Sequence, residues 1–265
     1  MTQAWPGSIG LIGAGAMGRA FAAGLVRGRP GMAERLLVTD AVPAAIASAV
    51  ADCGGRPASF GEAAAAELVV VAVKPKDAPD AFAAIAAAAA TDATVLSVIA
   101  GWDLDRLAAA VPGAALVRTM PNLAVRHGAG IVALATRGLD DAREEAVVAL
   151  LRPLGAVVPL PESLFAAATA LAGSGPGLVA VVAEGLEEGA VAAGLTRGQA
   201  REMVHAVLAG TAALLEDGTD PALLRQRVSS PAGTTIAGVA VLERGAVRAH
   251  VADAVRAAAE RAAGI

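Results

Sequence analysis

Tyrosine is absent, and two tryptophans and four phenylalanines leave aromatics at 2% of the 265 residues. Proteins that hold single-stranded nucleic acid need aromatic platforms for base stacking, and this chain has almost none. Nor does it carry a block of Lys and Arg: the net charge of −4 gives no cationic footprint for a phosphate backbone. One cysteine, Cys53, excludes an internal disulfide and any cysteine-based zinc cluster. His127, His205 and His250 are the only histidines and lack metal-ligand spacing, so no metal is expected. The one uncharged stretch of membrane length, Ser163 to Ala183, contains Gly173-Ser174-Gly175-Pro176-Gly177. That interruption predicts two helices joined by a tight turn rather than a span. No basic n-region followed by an apolar h-region opens the chain, so no signal peptide is expected. Together these absences predict a cytoplasmic protein with neither nucleic acid nor membrane as partner.

What is abundant is alanine. It inflates the apolar content to 56% and the mean hydropathy to +0.60, yet it favours helix and adds little burial per residue. The length allows one large or two modest domains. In the first half, short β-rich runs alternate with helical stretches. Strands are expected at Ser8–Ile12, Leu36–Thr39, Leu68–Val73, Thr94–Val98, Leu116–Thr119, Gly130–Ala135 and Ala156–Pro159. Helices are expected at Ala16–Gly28, Pro43–Cys53, Asp77–Ala90 and Asp140–Leu151. The wholly apolar run at Leu68 suits a parallel strand buried on both faces. This rhythm predicts an α/β Rossmann-type domain over residues 1–160, a doubly wound parallel sheet with right-handed crossovers.

Beyond Pro161 the strand signals stop. Glu162–Ala172, Pro176–Ala193, Arg197–Glu216, Pro221–Arg227, Thr234–Arg244 and Val247–Ala263 read as helices, giving an all-helical domain over 161–265. Gly194, Gly218 and Gly245 stand where C-terminal caps belong, and Pro221 where a helix starts. These helices are so apolar that pairing with a second copy is the natural way to cover them.

Gly13-Ala14-Gly15-Ala16-Met17-Gly18 follows the first strand and opens the first helix. Gly13 permits a tight turn, Gly15 lets backbone approach a pyrophosphate, and Gly18 allows close helix–strand packing. The N–H groups of Ala16 and Met17 and the helix dipole favour the anion. Asp40 ends the second strand about 20 residues later, where a carboxylate can accept ribose hydroxyls. Ala41 and Val42 follow it, so no cation stands ready for a 2′-phosphate, which leans toward NADH. The alternative, Asp40 as N-cap of the next helix, stands beside this reading.

Four further segments occur in order: Ala72-Val73-Lys74-Pro75, Arg118-Thr119-Met120-Pro121-Asn122, Gly173-Ser174-Gly175-Pro176, and Ser229-Ser230-Pro231-Ala232-Gly233-Thr234-Thr235-Ile236-Ala237. With these intervals the whole chain resembles the pyrroline-5-carboxylate reductase family. The resemblance implies NADPH or NADH as cofactor, with family habit leaning to NADPH. It implies reduction of the C=N bond of 1-pyrroline-5-carboxylate to L-proline, and a homodimer or larger ring of dimers. It carries Ala72, Lys74, Pro75 and Asn122 to the ribose and nicotinamide end of the cofactor, with Ala100 lining the same cleft. It places the substrate carboxylate on Ser230 and the amides of Gly233, Thr234 and Thr235, with the Thr235 hydroxyl near the imine nitrogen as the catalytic group. In family members this loop meets a cofactor bound by the neighbouring subunit. Read without the resemblance, Lys74 is a solvated lysine after a strand, and Ser230-Pro231 is a helix cap followed by its first turn.

The chain departs from the family where Leu123-Ala124 replace Thr-Pro, where Ser59 replaces a common asparagine near the adenosine, and where Ala232 replaces a glycine. If that glycine needs a positive φ, Ala232 must accept strain. The Leu123–His127 loop, expected to border the nicotinamide pocket, leaves room for another cyclic imine acid such as a piperideine carboxylate. Two rivals remain: a β-hydroxyacid dehydrogenase, whose lysine four residues beyond a second Gly-x-Gly is missing after Gly175-Pro176-Gly177, and a non-catalytic dinucleotide-binding protein.

Overall fold

The computed structural model describes Trp5, residues 7–88 and residues 93–264. The chain divides into two compact units, Met1–Gly173 with Ala259–Ile265, and Ser174–Ala258.

The first unit is an α/β layer structure. Its elements run β1 (Ile9–Ile12), α1 (Ala16–Arg27), β2 (Leu36–Thr39), α2 (Pro43–Cys53), β3 (Arg56–Pro57), α3 (Phe60–Ala64), β4 (Leu68–Val71), α4 (Ala78–Ala88) and β5 (Thr94–Ser97). There follow α5 (Leu104–Ala110), β6 (Ala115–Pro121), β7 (Gly130–Arg137), α6 (Asp141–Leu151) and β8 (Gly155–Pro159). The helix expected over Asp77–Ala90 is seen to Ala88; Ala89 and Ala90 lie outside the described residues. The strands form one sheet in the order β3-β2-β1-β4-β5-β6-β7-β8. The order reverses between β1 and β4, the switch point beyond whose strand ends ligands bind in such sheets. Strands β1, β4 and β5 are fully buried because helices cover both faces. Phe21, Leu25, Cys53 and Leu150 fill one side, and Phe82, Ile85, Trp102 and Leu107 fill the other.

Two features depart from the expected parallel alternation. Strand β7 pairs antiparallel with β6, although β8 pairs parallel with β7. The Asn122–Ala129 connection is too short for a crossover, which needs a dozen or more residues, so the chain can only turn back. Helices α3 and α5 and the short β3 were not anticipated. The signal for α3 was present as Ser59-x-x-Glu62: the Ser59 hydroxyl accepts from the Glu62 N–H and the Glu62 carboxylate accepts from the Ser59 N–H, a reciprocal cap. The Ser59 N–H and hydroxyl hold the Glu62 carboxyl below its usual range, with Arg56 adding to the effect.

The expected break at Gly173–Gly177 is replaced by a change of helix type. From Glu162 to Ala192 the backbone stays helical: a 3₁₀ turn at Glu162–Leu164, α7 (Phe165–Ala168), a π-helical turn at Thr169–Gly173, then α8 (Gly175–Ala192). Ser174 between them has helical angles, and no tight turn forms. Pro176 is tolerated because it lies in the first turn of α8, where its missing N–H would have no partner. By length and composition this run could cross a membrane, at a mean hydropathy of 1.6.

The second unit holds α8, α9 (Arg197–Glu216), α10 (Pro221–Arg227), α11 (Thr234–Arg244) and most of α12 (Val247–Ala263). Thr196 and Gln199 form the reciprocal cap of α9, and α8 and α9 pack together around Ala200 and Val204. Gly194 (φ 108°) and Gly218 (φ 80°) take left-handed angles after their helices; Gly245 does not, and Ala246 (φ 51°) makes that turn instead.

Candidate active site

The glycine loop follows β1 at the switch point. Gly13 has φ 102°, and a Cβ there would stand 2.6 Å from the Ala72 carbonyl, so the ends of β1 and β4 touch at this residue. Gly18 faces the same constraint from within: its Cβ would lie 2.0 Å from the Gly13 oxygen. Gly15 differs. It is the N-cap of α1, and a Cβ added there would meet nothing within 4 Å, so the loop surface stands open at that point. No side chain caps α1 and no acidic residue occupies its first turn, which includes Ala16 and Met17. The orphan N–H groups and the helix dipole therefore face an open cradle suited to a pyrophosphate.

Asp40 fastens that cradle. Its Oδ2 accepts from the Ala14 N–H at 2.6 Å and its Oδ1 from the Val42 N–H at 2.8 Å, while the Gly13 N–H donates to the Thr39 carbonyl at 3.0 Å. Asp40 is thus neither the N-cap of α2, which is Val42, nor a free carboxylate; it ties the glycine loop to the end of β2. An ionised carboxylate has about four acceptor positions, and two protein contacts leave room for ribose hydroxyls.

The segments after β4 and β5 reach the same edge of the sheet. Ala72 donates its N–H to the Ile12 carbonyl at 2.8 Å. Lys74 is exposed, with no ion pair among the described residues, and precedes a 3₁₀ turn that begins at Pro75. Ala100 follows β5 beside Gly101 (φ 75°) and packs on Met120 and Phe165. Gly13, Gly15, Gly18, Asp40, Ala72, Lys74, Pro75 and Ala100 are therefore brought together along the carboxyl ends of β1, β2, β4 and β5.

Asn122 also lies at this edge, after β6, but its side chain is turned into the protein. The Leu123–His127 loop differs from expectation as well. It forms a 3₁₀ turn packed on α1, with Val125 fully buried against Gly24. Arg126 points to Asp52 (3.3 Å), which also holds Arg19 (2.7 Å), so the arginine binds α2 rather than a pocket. Leu123 is left 60% exposed and is the apolar side chain this loop offers to solvent.

In the second unit, Val228–Gly233 joins α10 to α11. Ser230 is not the helix cap: the N-cap is Gly233, and the helix starts at Thr234. The Gly233 N–H donates to the Ser230 carbonyl at 3.0 Å, and a Cβ on Gly233 would fall 2.2 Å from the Ser230 Oγ. A side chain at this position would force the serine hydroxyl, which lies across the helix start, to turn away. Among the described residues no side chain caps α11, which leaves the first-turn N–H groups from Thr234 onward available. Thr234 is exposed and Thr235 half-buried. Ala232 takes φ 54°, so of the two outcomes open for this position the loop keeps a left-handed angle and the alanine accepts its strain.

Residues 8–101 match a family model described as NADP oxidoreductase, coenzyme F420-dependent, and residues 162–265 match one described as pyrroline-5-carboxylate reductase dimerisation. A pyrroline-5-carboxylate reductase of Synechocystis is 36% identical over 257 residues, 96% of each chain. The chain belongs to the pyrroline-5-carboxylate reductase family.

It is accordingly an oxidoreductase of CH–NH groups that works with a nicotinamide dinucleotide, and its dimerisation segment supports assembly as a homo-oligomer. Among solved structures, a pyrroline-5-carboxylate reductase from Coxiella burnetii superposes with TM-score 0.89 at 28% identity, covering 97% of this chain and 98% of that one. A Plasmodium falciparum pyrroline carboxylate reductase with NADP bound shares the fold, with TM-score 0.87 at 24% identity and 98% coverage of both chains.

Proposed function

We propose that this protein reduces the C=N bond of 1-pyrroline-5-carboxylate to give L-proline. The observation that carries this reading is the 36% identity to a reductase of that name over 96% of the chain. The dinucleotide, when bound, supplies the hydride. The protein binds, orients and delivers a proton.

In this reading the cradle of Gly13, Gly15, Ala16, Met17 and Gly18 holds the pyrophosphate. Ala72, Lys74, Pro75 and Ala100 line the nicotinamide end, and Asp40 accepts the adenosine ribose hydroxyls. The cofactor is NADH: Asp40 is held in place by two amides, its charge opposes a 2′-phosphate, and no cation follows it in Ala41-Val42-Pro43-Ala44. The uncapped start of α11 and Ser230 bind the substrate carboxylate. Thr235 hydrogen-bonds the imine nitrogen, which gains a proton as its carbon gains hydride. The threonine hydroxyl is too weak an acid to act alone, so it orients a proton that comes from water or from an imine already protonated. Residues 161–265 serve as the dimerisation and substrate-loop domain. The exposed Val179, Val181, Val182, Leu186, Met203 and Val207 of α8 and α9 are then covered by a second copy, and the protein works in the cytoplasm as a dimer or ring of dimers.

The test is oxidation of NADH and NADPH, in parallel, with pyrroline-5-carboxylate and with piperideine carboxylates. Fast NADH oxidation with the five-membered imine is expected. Turnover only on the larger ring would move the substrate, with the exposed Leu123 as the first residue to alter. Cofactor binding without turnover on any imine would leave a non-catalytic dinucleotide-binding protein. Thr235→Ala should lower kcat while leaving NADH affinity unchanged; unaltered turnover would remove Thr235 from the mechanism.

A further inference from the structure

Alternate residues of a strand point to one face of the sheet; Arg118 and Met120 near the carboxyl end of β6, and Asn122 just beyond it, follow that alternation. All three engage the helical run that begins at Glu162. Arg118 donates to the Glu162 carboxylate at 2.7 Å and lies over the Phe165 ring, 4.4 Å from its centroid. Met120 packs with Phe165, and Ala100 and Ala168 join the same cluster. Asn122, 8% exposed, donates through Nδ2 to the Ala172 carbonyl at 3.1 Å. Residues of one face therefore grip the first third of the run, from Glu162 to Ala172, and the last grip falls on the π-helical turn Thr169–Gly173.

The remaining polar groups of Asn122 are also engaged. Its Oδ1 accepts from the Ala124 N–H at 3.2 Å, its N–H donates to the Ile131 carbonyl at 3.3 Å, and its carbonyl accepts from the Val125 N–H at 3.1 Å. Only 8% exposed, and with both its amide nitrogen and its amide oxygen already bonded within the protein, Asn122 is poorly placed to reach a dinucleotide, although the family resemblance assigned it that contact. We propose that Asn122 is a positioning residue for the imine-acid end of the site. Its amide pins Ala172 and Gly173 to the carboxyl edge of β6, beside Ala100, and it does not hold the cofactor. Ala170 and Ala172 are buried while Gly173 is exposed, so the pinned turn presents the Gly173 backbone at that edge. This inference rests on the reading that the cleft takes a dinucleotide and an imine acid.

The conservative variant is Asn122→Ser, whose short hydroxyl can still accept from Ala124 but cannot reach Ala172. NADH affinity, read by nucleotide fluorescence, is expected to stay within about twofold, while KM for the imine and the inhibition constant of L-proline rise about tenfold, the worth of one lost positioning hydrogen bond. NADH affinity falling as far as substrate affinity, or no change in either, would overturn the proposal. Wild-type turnover, measured first, keeps a wrong substrate separate from a wrong role for Asn122. A second measurement needs no variant. Asn122 is the single asparagine of the chain, so protein labelled with ¹⁵N only at asparagine gives one side-chain amide pair. Slow solvent exchange of that pair in the cofactor-free protein is expected. Fast exchange that slows only when NADH is added would show an amide waiting for the cofactor, and would overturn the proposal.

Discussion

Ala232 and Ala246 are non-glycine residues held at left-handed angles, φ 54° and 51°. For an L-residue this conformation costs roughly 1–2 kcal/mol, because Cβ crowds the following carbonyl oxygen. Replacement by glycine removes that cost but gives the unfolded chain more freedom, which takes back about 0.4–1 kcal/mol. The difference predicts that Ala232→Gly stabilises the protein by about 1 kcal/mol, and Ala246→Gly by a similar amount. At roughly 2.1 cal/mol/K per residue, the 265 residues unfold with an entropy near 0.56 kcal/mol/K, so each change should raise Tm by about 2 °C. Ala232→Val must go the other way, since a β-branched side chain fits the left-handed region worst. Ala246 serves as the control because it lies between α11 and α12, outside the Ser229–Ala237 segment. The assay is guanidinium unfolding and calorimetry at a fixed protein concentration, with kcat/KM measured alongside. A loss of stability in both glycine variants, or equal behaviour of glycine and valine at position 232, would refute the reasoning.

The close approach at Gly18 gives a second expectation. In Gly18→Ala the new Cβ starts 2.0 Å from the Gly13 oxygen, so the loop must move by more than 1 Å to reach ordinary contact, and hydrogen bonds to a pyrophosphate tolerate only about half that range. Losing two charge-assisted hydrogen bonds should raise the NADH dissociation constant at least ~100-fold, measured by fluorescence titration of the folded variant; a change under threefold would argue against pyrophosphate binding at this loop. The Glu162 carboxylate accepts from both Arg118 (2.7 Å) and the Leu104 N–H (2.8 Å). Because the pair is partly exposed, Glu162→Gln should cost about 2 kcal/mol in guanidinium unfolding rather than the full cost of a buried ion pair, and a loss below about 0.5 kcal/mol would show that Arg118 finds another partner.

Much of this was legible in the sequence, because local chemistry decided it. Apolar runs such as Leu68–Val71 are strands wherever a sheet buries both faces. Pro43, Pro221 and the glycines after α8 and α9 mark helix ends through φ angles that no partner has to impose. The same holds for the turn at Gly13, whereas the left-handed angle at Ala232 is one that alanine disfavours and its loop imposes. What the sequence could not decide were contacts between segments far apart along the chain. Nothing near Asp40 announces that its carboxylate will be held by Ala14, 26 residues away, or near Arg126 that it will pair with Asp52 on another helix. The antiparallel turn of β7 followed from the length of a connection, yet only the assembled sheet gave that strand an edge to join. Against the low helix propensity of Gly173-Ser174-Gly175-Pro176, the backbone stays helical where local reading expected a turn, and the turn just before it is held from a distance by Arg118, Met120 and Asn122. The chain's own chemistry determined its elements and the cradle for a dinucleotide. Tertiary structure decided which polar groups remain free to bind, since a side chain's hydrogen-bonding capacity is limited and its partners are chosen by the fold.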